Sequence, residues 1–334
     1  MMMKKLFIAL TIFAVLSMTS CINPVDGRLN PFDPEGTLPE IVDVRFGYQA
    51  QGVDPRMNAQ WQAHSAASGG YLVYGATSVD GPWTKYTGTA IANPPFNFDP
   101  PYTDKPEFQK GGKKYIMIVG LDSAKKPVAK KITSVYFYNI YYRDFNGTNF
   151  MLPTDLFANN YNVGGSAYST IDLIFNQRNS LYIYAQDGGS GDRAEVSTPN
   201  FIPPSGTVYD GNSKVVIDWA MYRTGKGLQF RIDSGAAMTA YMIGFDYGSV
   251  YDNGSYIGGA TIDGQWDNYH FEYLNASSAV GMLIVNNSST YTFNFNRIMA
   301  STAQPISQLT MSAYPNSSGM NGSMYVDWIG VAIE

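Results

Sequence analysis

The chain has 334 residues, of which 14% are aromatic and only 15% charged, with a net charge of -5. One cysteine allows no internal disulfide and no thiolate metal centre, and two histidines, His64 and His270, make a His-rich zinc site impossible. No strong basic stripe is present, which argues against nucleic acid as a partner; Lys110, Lys113, Lys114, Lys125, Lys126, Lys130 and Lys131 read as solvated strand ends and turns. The 25 Tyr and 18 Phe favour half-buried pleated surfaces, so the composition points to an all-β chain.

In chain order, residues 1–5 are short and positive, and residues 6–16 are apolar but too short for a comfortable membrane span. Ser17, Met18, Thr19 and Ser20 then put small residues before Cys21. Residues 1–20 resemble a bacterial lipoprotein signal peptide with its lipobox. The resemblance implies that Cys21 becomes the first mature residue and is lipidated. It also implies that the protein partners the membrane through that anchor and lies in the bacterial cell envelope. Ile22, where Asp would signal retention, implies the outer membrane or cell surface. Without residues 1–20 the chain carries 20 basic and 27 acidic residues. Residues 21–37 are so dense in Pro, Gly, Asn and Asp that neither helix nor central strand can hold, and they read as a flexible tether.

Residues 38–138 carry short alternating runs separated by turns, among them Met57, Ala59 and Trp61, then 71–74, then 115–119. Several such strands in about 100 residues indicate a sandwich. The strand ending in Trp61, the Gly70-Tyr71-Leu72-Val73-Tyr74 run, the Asp80-Gly81-Pro82-Trp83 turn and the 114–122 strand together resemble a fibronectin type III domain. In that family an inward strand Trp anchors the core, which is the role expected of Trp61. There is no Arg-Gly-Asp and hence no support for integrin binding.

Residues 139–334 hold further strands and almost no helical periodicity. Leu181, Ile183 and Ala185 alternate with Tyr182 and Tyr184; Val215, Ile217, Trp219 and Met221 alternate with Val216, Asp218, Ala220 and Tyr222; Tyr269, Phe271 and Tyr273 alternate with His270 and Glu272. The ordered set from Asp144-Phe145-Asn146-Gly147 to Tyr325-Val326-Asp327-Trp328 resembles a concanavalin-like or laminin-G-like jelly roll. The expected fold is therefore all-β, with two β-sandwiches after a signal peptide and tether. The second sandwich is the larger.

This type of fold hosts lectins, binding modules, glycosidases and lyases alike, so function must come from the site. Paired carboxylates in a Glu-x-Asp-x-x-Glu strand, which jelly-roll hydrolases commonly use, are missing. His270 with Glu272 on one strand face could act as a base and its orienter. Arg193-Ala194-Glu195 resembles the Arg-x-Glu strand of alginate-type polysaccharide lyases, although that family's Gln-Ile-His motif is absent. Arg193, His270 and Glu272 are thus the catalytic candidates if the chain is an enzyme; otherwise Arg193 and Glu195 read as a surface ion pair. Glycan binding needs only exposed aromatic faces with amide and carboxylate groups, and Tyr182, Tyr184, Gln186, Asp218, Tyr222 and His270 could line such a face on a concave sheet. A structural calcium would fall to Asp187 and Asp192 of a Gly-rich loop, or to Asp144 and Asp327 joining the first and last strands. Three classes stay open: a non-catalytic module for a polysaccharide or surface protein, a polysaccharide-active enzyme, and a structural envelope protein.

Overall fold

A computed structural model describes residues 31–32, 37–99, 105–145, 151–174, 178–188, 191–202, 210, 212–235, 238–259, 261, 263–274, 280–294, 306–315 and 317–334. The signal peptide, Cys21, most of the tether, and Asn146 and Gly147 lie outside the described residues. The described elements are strands apart from one 3-10 turn at Pro106–Phe108, as the composition predicts. The first strands are β1 (Arg45–Ala50), β2 (Gly52–Val53), β3 (Arg56–Gln60), β4 (Gly70–Ala76), β5 (Thr84–Lys85), β6 (Phe96–Phe98), β7 (Gly112–Leu121) and β8 (Pro127–Phe137). Next come β9 (Tyr141–Asp144), β10 (Phe157–Tyr161), β11 (Ser166–Ile174), β12 (Arg178–Gln186), β13 (Arg193–Ser197), β14 (Lys214–Gly225), β15 (Leu228–Ser234) and β16 (Met238–Asp246). The last are β17 (Ser249–Asp252), β18 (Ser255–Gly259), β19 (Trp266–Leu274), β20 (Val280–Val285), β21 (Ser289–Asn294), β22 (Ile306–Ala313) and β23 (Asn321–Ile333).

The chain divides into two compact units. The first takes the described residues up to Gly47, Asn58–Asn97 and Lys114–Val135; the second takes Tyr48–Met57, Phe98–Lys113 and Tyr136–Glu334. In place of a single boundary after residue 138, two earlier segments join the second unit. The reason is local: β2 pairs with β9, and Phe108 meets Phe137 edge-to-face with ring centroids 4.9 Å apart.

In the first unit, β4 pairs antiparallel with β5 and β7 in a four-stranded sheet of order β5-β4-β7-β8. A second sheet has the order β1-β3-β6. Trp61 is buried and meets Tyr71 edge-to-face at 5.3 Å, so it is core. Gly75 is required where it stands, because a Cβ there would lie 1.9 Å from the Tyr86 hydroxyl oxygen. The lysines divide: Lys110, Lys113, Lys125 and Lys126 are exposed and Lys131 pairs with Glu40, but Lys114 is buried, contrary to the solvated reading.

The second unit is a sandwich of two antiparallel sheets. One has seven strands in the order β10-β13-β22-β15-β16-β17-β18. The other has nine: β11-β12-β23-β14-β19-β20-β21, with β9 beside β23 and β2 beside β9. Alternation decides which side chains enter the core between them. On β14, Val215, Ile217, Trp219 and Met221 point inward; on β15, Leu228, Phe230 and Ile232 do so from the other sheet. The Trp219 ring stacks on Phe230 at 4.2 Å and on Tyr269 at 5.1 Å. Burying each large apolar side chain contributes roughly 1.5–3 kcal/mol, so this shared layer holds the sandwich. The β14–β23 register skips Asp327: Met221 faces Val326 and Ala220 faces Trp328. This bulge brings Trp328 to the same outer face as Tyr325.

Candidate functional site

The outer face of the nine-stranded sheet carries two side-chain clusters. The first is a ladder of aromatic rings. Register sets Tyr168 of β11 opposite Tyr184 of β12, Tyr182 of β12 opposite Tyr325 of β23, Tyr325 opposite Tyr222 of β14, and Tyr222 opposite Trp266 of β19. Ring centroids lie 5.2 Å apart for Tyr168–Tyr184, 4.2 Å for Tyr182–Tyr325, 6.1 Å for Tyr222–Tyr325 and 6.0 Å for Tyr222–Trp266. Tyr168 is exposed and the other five rings are half-buried. Polar groups border them: the Tyr184 hydroxyl donates to Gln186 Oε1 at 3.3 Å, and Thr224 and Ser323 share a hydroxyl–hydroxyl bond of 2.8 Å. Burial, reinforced by hydrogen bonds with Tyr168 and Tyr325, raises the Tyr182 phenol well above its usual range, so that hydroxyl stays neutral. Such a surface offers π-faces for sugar rings and neutral donors and acceptors for hydroxyls.

The end of β14 beneath the ladder is fixed by Arg223, which is fully buried. Its Nε donates to the Tyr269 hydroxyl at 3.2 Å, its remaining nitrogens reach Tyr247 O and Thr261 Oγ1, and its guanidinium lies 5.0 Å from the Phe245 ring centroid. Asp263 stands 3.6 Å away as counter-charge. A buried cation this well bonded is a rigid support.

The second cluster lies further along β14 and β19 and closes into a loop. The Tyr138 hydroxyl donates to Asp218 Oδ2 at 2.8 Å, and Asp218 Oδ1 meets His270 Nδ1 at 2.6 Å. His270 Nε2 faces Glu272 Oε2 at 3.3 Å, and Lys214 Nζ bonds Glu272 at 3.1 Å and Glu334 at 2.7 Å. The Tyr136 hydroxyl donates to Glu334 Oε1 at 2.7 Å, and the Tyr136 ring lies 5.0 Å from that of Tyr138. The bond to Asp218 raises the His270 pKa despite burial, and Glu272 adds to it. Burial opposes charge on Glu272, but Lys214 and His270 together hold its carboxyl below the usual range. Both ring nitrogens of His270 lie within hydrogen-bond distance of a carboxylate, so each is already engaged inside the network.

The structure thus brings Tyr182, Tyr184, Gln186 and Tyr222 onto one face, and Asp218 and His270 onto the same face but into a network that already engages them. The catalytic trio is corrected. Arg193 is exposed on β13 of the seven-stranded sheet, whereas His270 and Glu272 face outward from the other sheet, so the core separates them. Glu195 turns to Arg231, 3.9 Å away, in place of Arg193. The calcium candidates do not assemble either. Asp192 is buried and accepts the N–H groups of Val163, Gly164 and Gly188 at 2.6, 3.3 and 3.0 Å, which hold its pKa down at about 2. Asp187 accepts the Gly191 N–H at 3.0 Å. Asp144, opposite Trp328, and the bulged Asp327 do lie side by side on β9 and β23, where the Phe145 N–H donates to the Asp327 carbonyl at 3.0 Å, but two carboxylates are far fewer than the six to eight oxygens calcium takes. Among the described residues no three His, Cys, Asp or Glu side chains gather as a metal site. Tyr168, Tyr325 and Trp266 were not anticipated from the sequence; only the register discloses them, although Tyr325 alternates with buried Met324 and Val326.

The fold and the face define a β-sandwich with an outward aromatic sheet surface. No family model and no curated protein matches the sequence. Solved structures similar to part of the chain include the lectin UEA-II complexed with galactose, at 7% identity over 58% of this chain and 98% of that one, with a TM-score of 0.37. The metal-free carbohydrate recognition domain of Emp46p is 11% identical over 50% of this chain and 87% of its own, with a TM-score of 0.30. A carbohydrate esterase of the Shiga toxin-encoding bacteriophage phi24B is 15% identical over 54% and 90%, with a TM-score of 0.32.

Proposed function

We propose that the chain is a cell-envelope lipoprotein whose second unit binds glycan, without turning it over, through the aromatic ladder on the nine-stranded sheet. The observation that carries this reading is the continuity of Tyr168, Tyr184, Tyr182, Tyr325, Tyr222 and Trp266 across five strands. Ring neighbours 4.2–6.2 Å apart form an extended surface suited to a chain of sugars. The occupied nitrogens of His270 weigh against a general-base role for it. In the first unit, the four-stranded order β5-β4-β7-β8 supports the fibronectin type III-like reading of a spacer. The lipid anchor at Cys21 and an outer-membrane or cell-surface location rest on the signal sequence.

The test is a glycan array on the full-length chain, with product release assayed for every hit. Binding without turnover is expected, and Tyr325→Ala, which removes a ring from the centre of the ladder, should weaken it about five- to tenfold, the loss of one stacking contact of about 1–1.5 kcal/mol. Turnover of a bound polysaccharide would replace this reading with the enzyme. Binding that Tyr325→Ala leaves intact would remove the ladder.

A further inference from the structure

The other sheet has a feature that the ladder does not explain. On the outer face of the seven-stranded sheet, Ser312, Gln229, Gly244 and Tyr251 stand in one row across β22, β15, β16 and β17. Gly244 is the low point of that row: a Cβ there would lie 3.2 Å from Tyr251 Cβ. A cavity of about 180 Å³ opens over it, lined among others by Gln229, Met242, Asp246, Tyr251 and Tyr314. At about 30 Å³ per water that is room for roughly six waters, or one small ring. Gly227 (φ +71°) lets the β14–β15 turn close against Tyr314: a Cβ at 227 would come within 2.1 Å of the Tyr314 carbonyl oxygen. Gly254 has nothing within 4 Å of a built Cβ and leaves the mouth open.

The polar groups around this cavity are unspent. The Gln229 amide and the Tyr251 and Tyr314 hydroxyls have no hydrogen-bond partner among the described residues. Asp246 uses Oδ1 to accept the Gly227 N–H at 2.6 Å, which leaves Oδ2 as a strong acceptor. The lining residues include one carboxylate and no Lys, Arg or His, so an anion is disfavoured. Aromatic walls with a donor–acceptor amide and a carboxylate at the rim match a ring that is apolar on its face and hydroxylated at its edge. We infer that this cavity is a second binding site, for a single neutral sugar ring, on the sheet opposite the aromatic ladder. It goes beyond the proposed function and does not depend on it.

The experiment is saturation-transfer NMR on the full-length chain with glucose, galactose, mannose and N-acetylglucosamine, with choline as a cationic probe and glucuronate as an anionic one. At least one neutral sugar should bind with a Kd on the order of 1 mM. Made in a Tyr325→Ala background, which removes the ladder's contribution, Gly244→Val, which fills the cavity, and Gln229→Leu, which removes the amide with little change of volume, should each weaken it about tenfold or more. If Gly244→Val does not fold, Gln229→Leu decides alone. No binding of any neutral sugar in the Tyr325→Ala background, tighter binding of choline or glucuronate, or binding that survives Gln229→Leu in that background overturns the inference.

Discussion

His270 has a carboxylate on each ring nitrogen, and that arrangement gives the fold a pH dependence of known sign. Asp218 at 2.6 Å and Glu272 at 3.3 Å stabilise the imidazolium and raise its pKa above the ordinary value near 6.5. A raised folded-state pKa means a stabilisation fully present below about pH 6.5 and lost as pH rises through the folded value. Melting temperature should therefore decline over that window in the native chain, and the decline should flatten in His270→Gln; equal slopes in the two proteins would contradict the imidazolium assignment. Asp192 works in the opposite sense. Its carboxylate is held at about 2 by the N–H groups of Gly188 and Val163 first, so its contribution is present above about pH 4 and lost as pH falls toward 2. Asp192→Asn should lower stability at neutral pH and blunt the acid-side loss in a urea-midpoint profile from pH 5 to pH 2. From the sequence, Asp187 and Asp192 were recognisable as oxygen donors in a Gly-rich loop. Their clients were not, because Val163 and Gly164 lie about thirty residues earlier and meet Asp192 only through folding.

At the scale of single strands, alternation was enough to sort β12, β14 and β19 into core and outward faces. Leu181, Ile183, Ile217, Trp219, Tyr269 and Phe271 are all buried, as their period of two requires. What a period of two cannot convey is which strands are neighbours. Tyr168, Tyr325 and Trp266 join the ladder through cross-strand register, which depends on contacts more than 100 residues apart in the case of Tyr182 and Tyr325. It also cannot foresee a bulge. Strict alternation would put Trp328 on the face opposite Tyr325, and the skipped residue Asp327 reverses this, giving Trp328 its place 5.9 Å from Tyr138. The same packing makes Trp219 the element-scale test. It belongs to β14, stacks on Phe230 of the opposite sheet, and has no exposed surface, so truncation empties the middle of the core. Trp219→Ala should cost about 3–5 kcal/mol in urea unfolding with the m-value unchanged. A loss under about 1 kcal/mol would mean that the two sheets are not held by this layer.

For the whole molecule, the two candidate sites face outward from opposite sheets of the second unit, so each could engage a separate sugar chain, and the arrangement is useful where the protein is held in place. The proposed anchor supplies that. A single acyl chain binds membranes only marginally, whereas several on one cysteine are additive at about 0.8 kcal/mol per buried CH2, which makes attachment stable. Phe32 meets Tyr74 edge-to-face at 5.3 Å, so only the roughly ten residues from Cys21 onward are left to span to the membrane, and fully extended at about 3.3–3.6 Å each they would reach up to roughly 35 Å. Everything in this scheme depends on one atom, the Cys21 sulfur. Cys21→Ala should move the chain from the membrane pellet to the soluble fraction and abolish incorporation of labelled fatty acid, while glycan binding by the folded units stays as it was. Retention of Cys21→Ala in the pellet, with no label on either protein, would mean that the apolar stretch of residues 6–16 holds the chain uncleaved. The single cysteine would then have no assigned role.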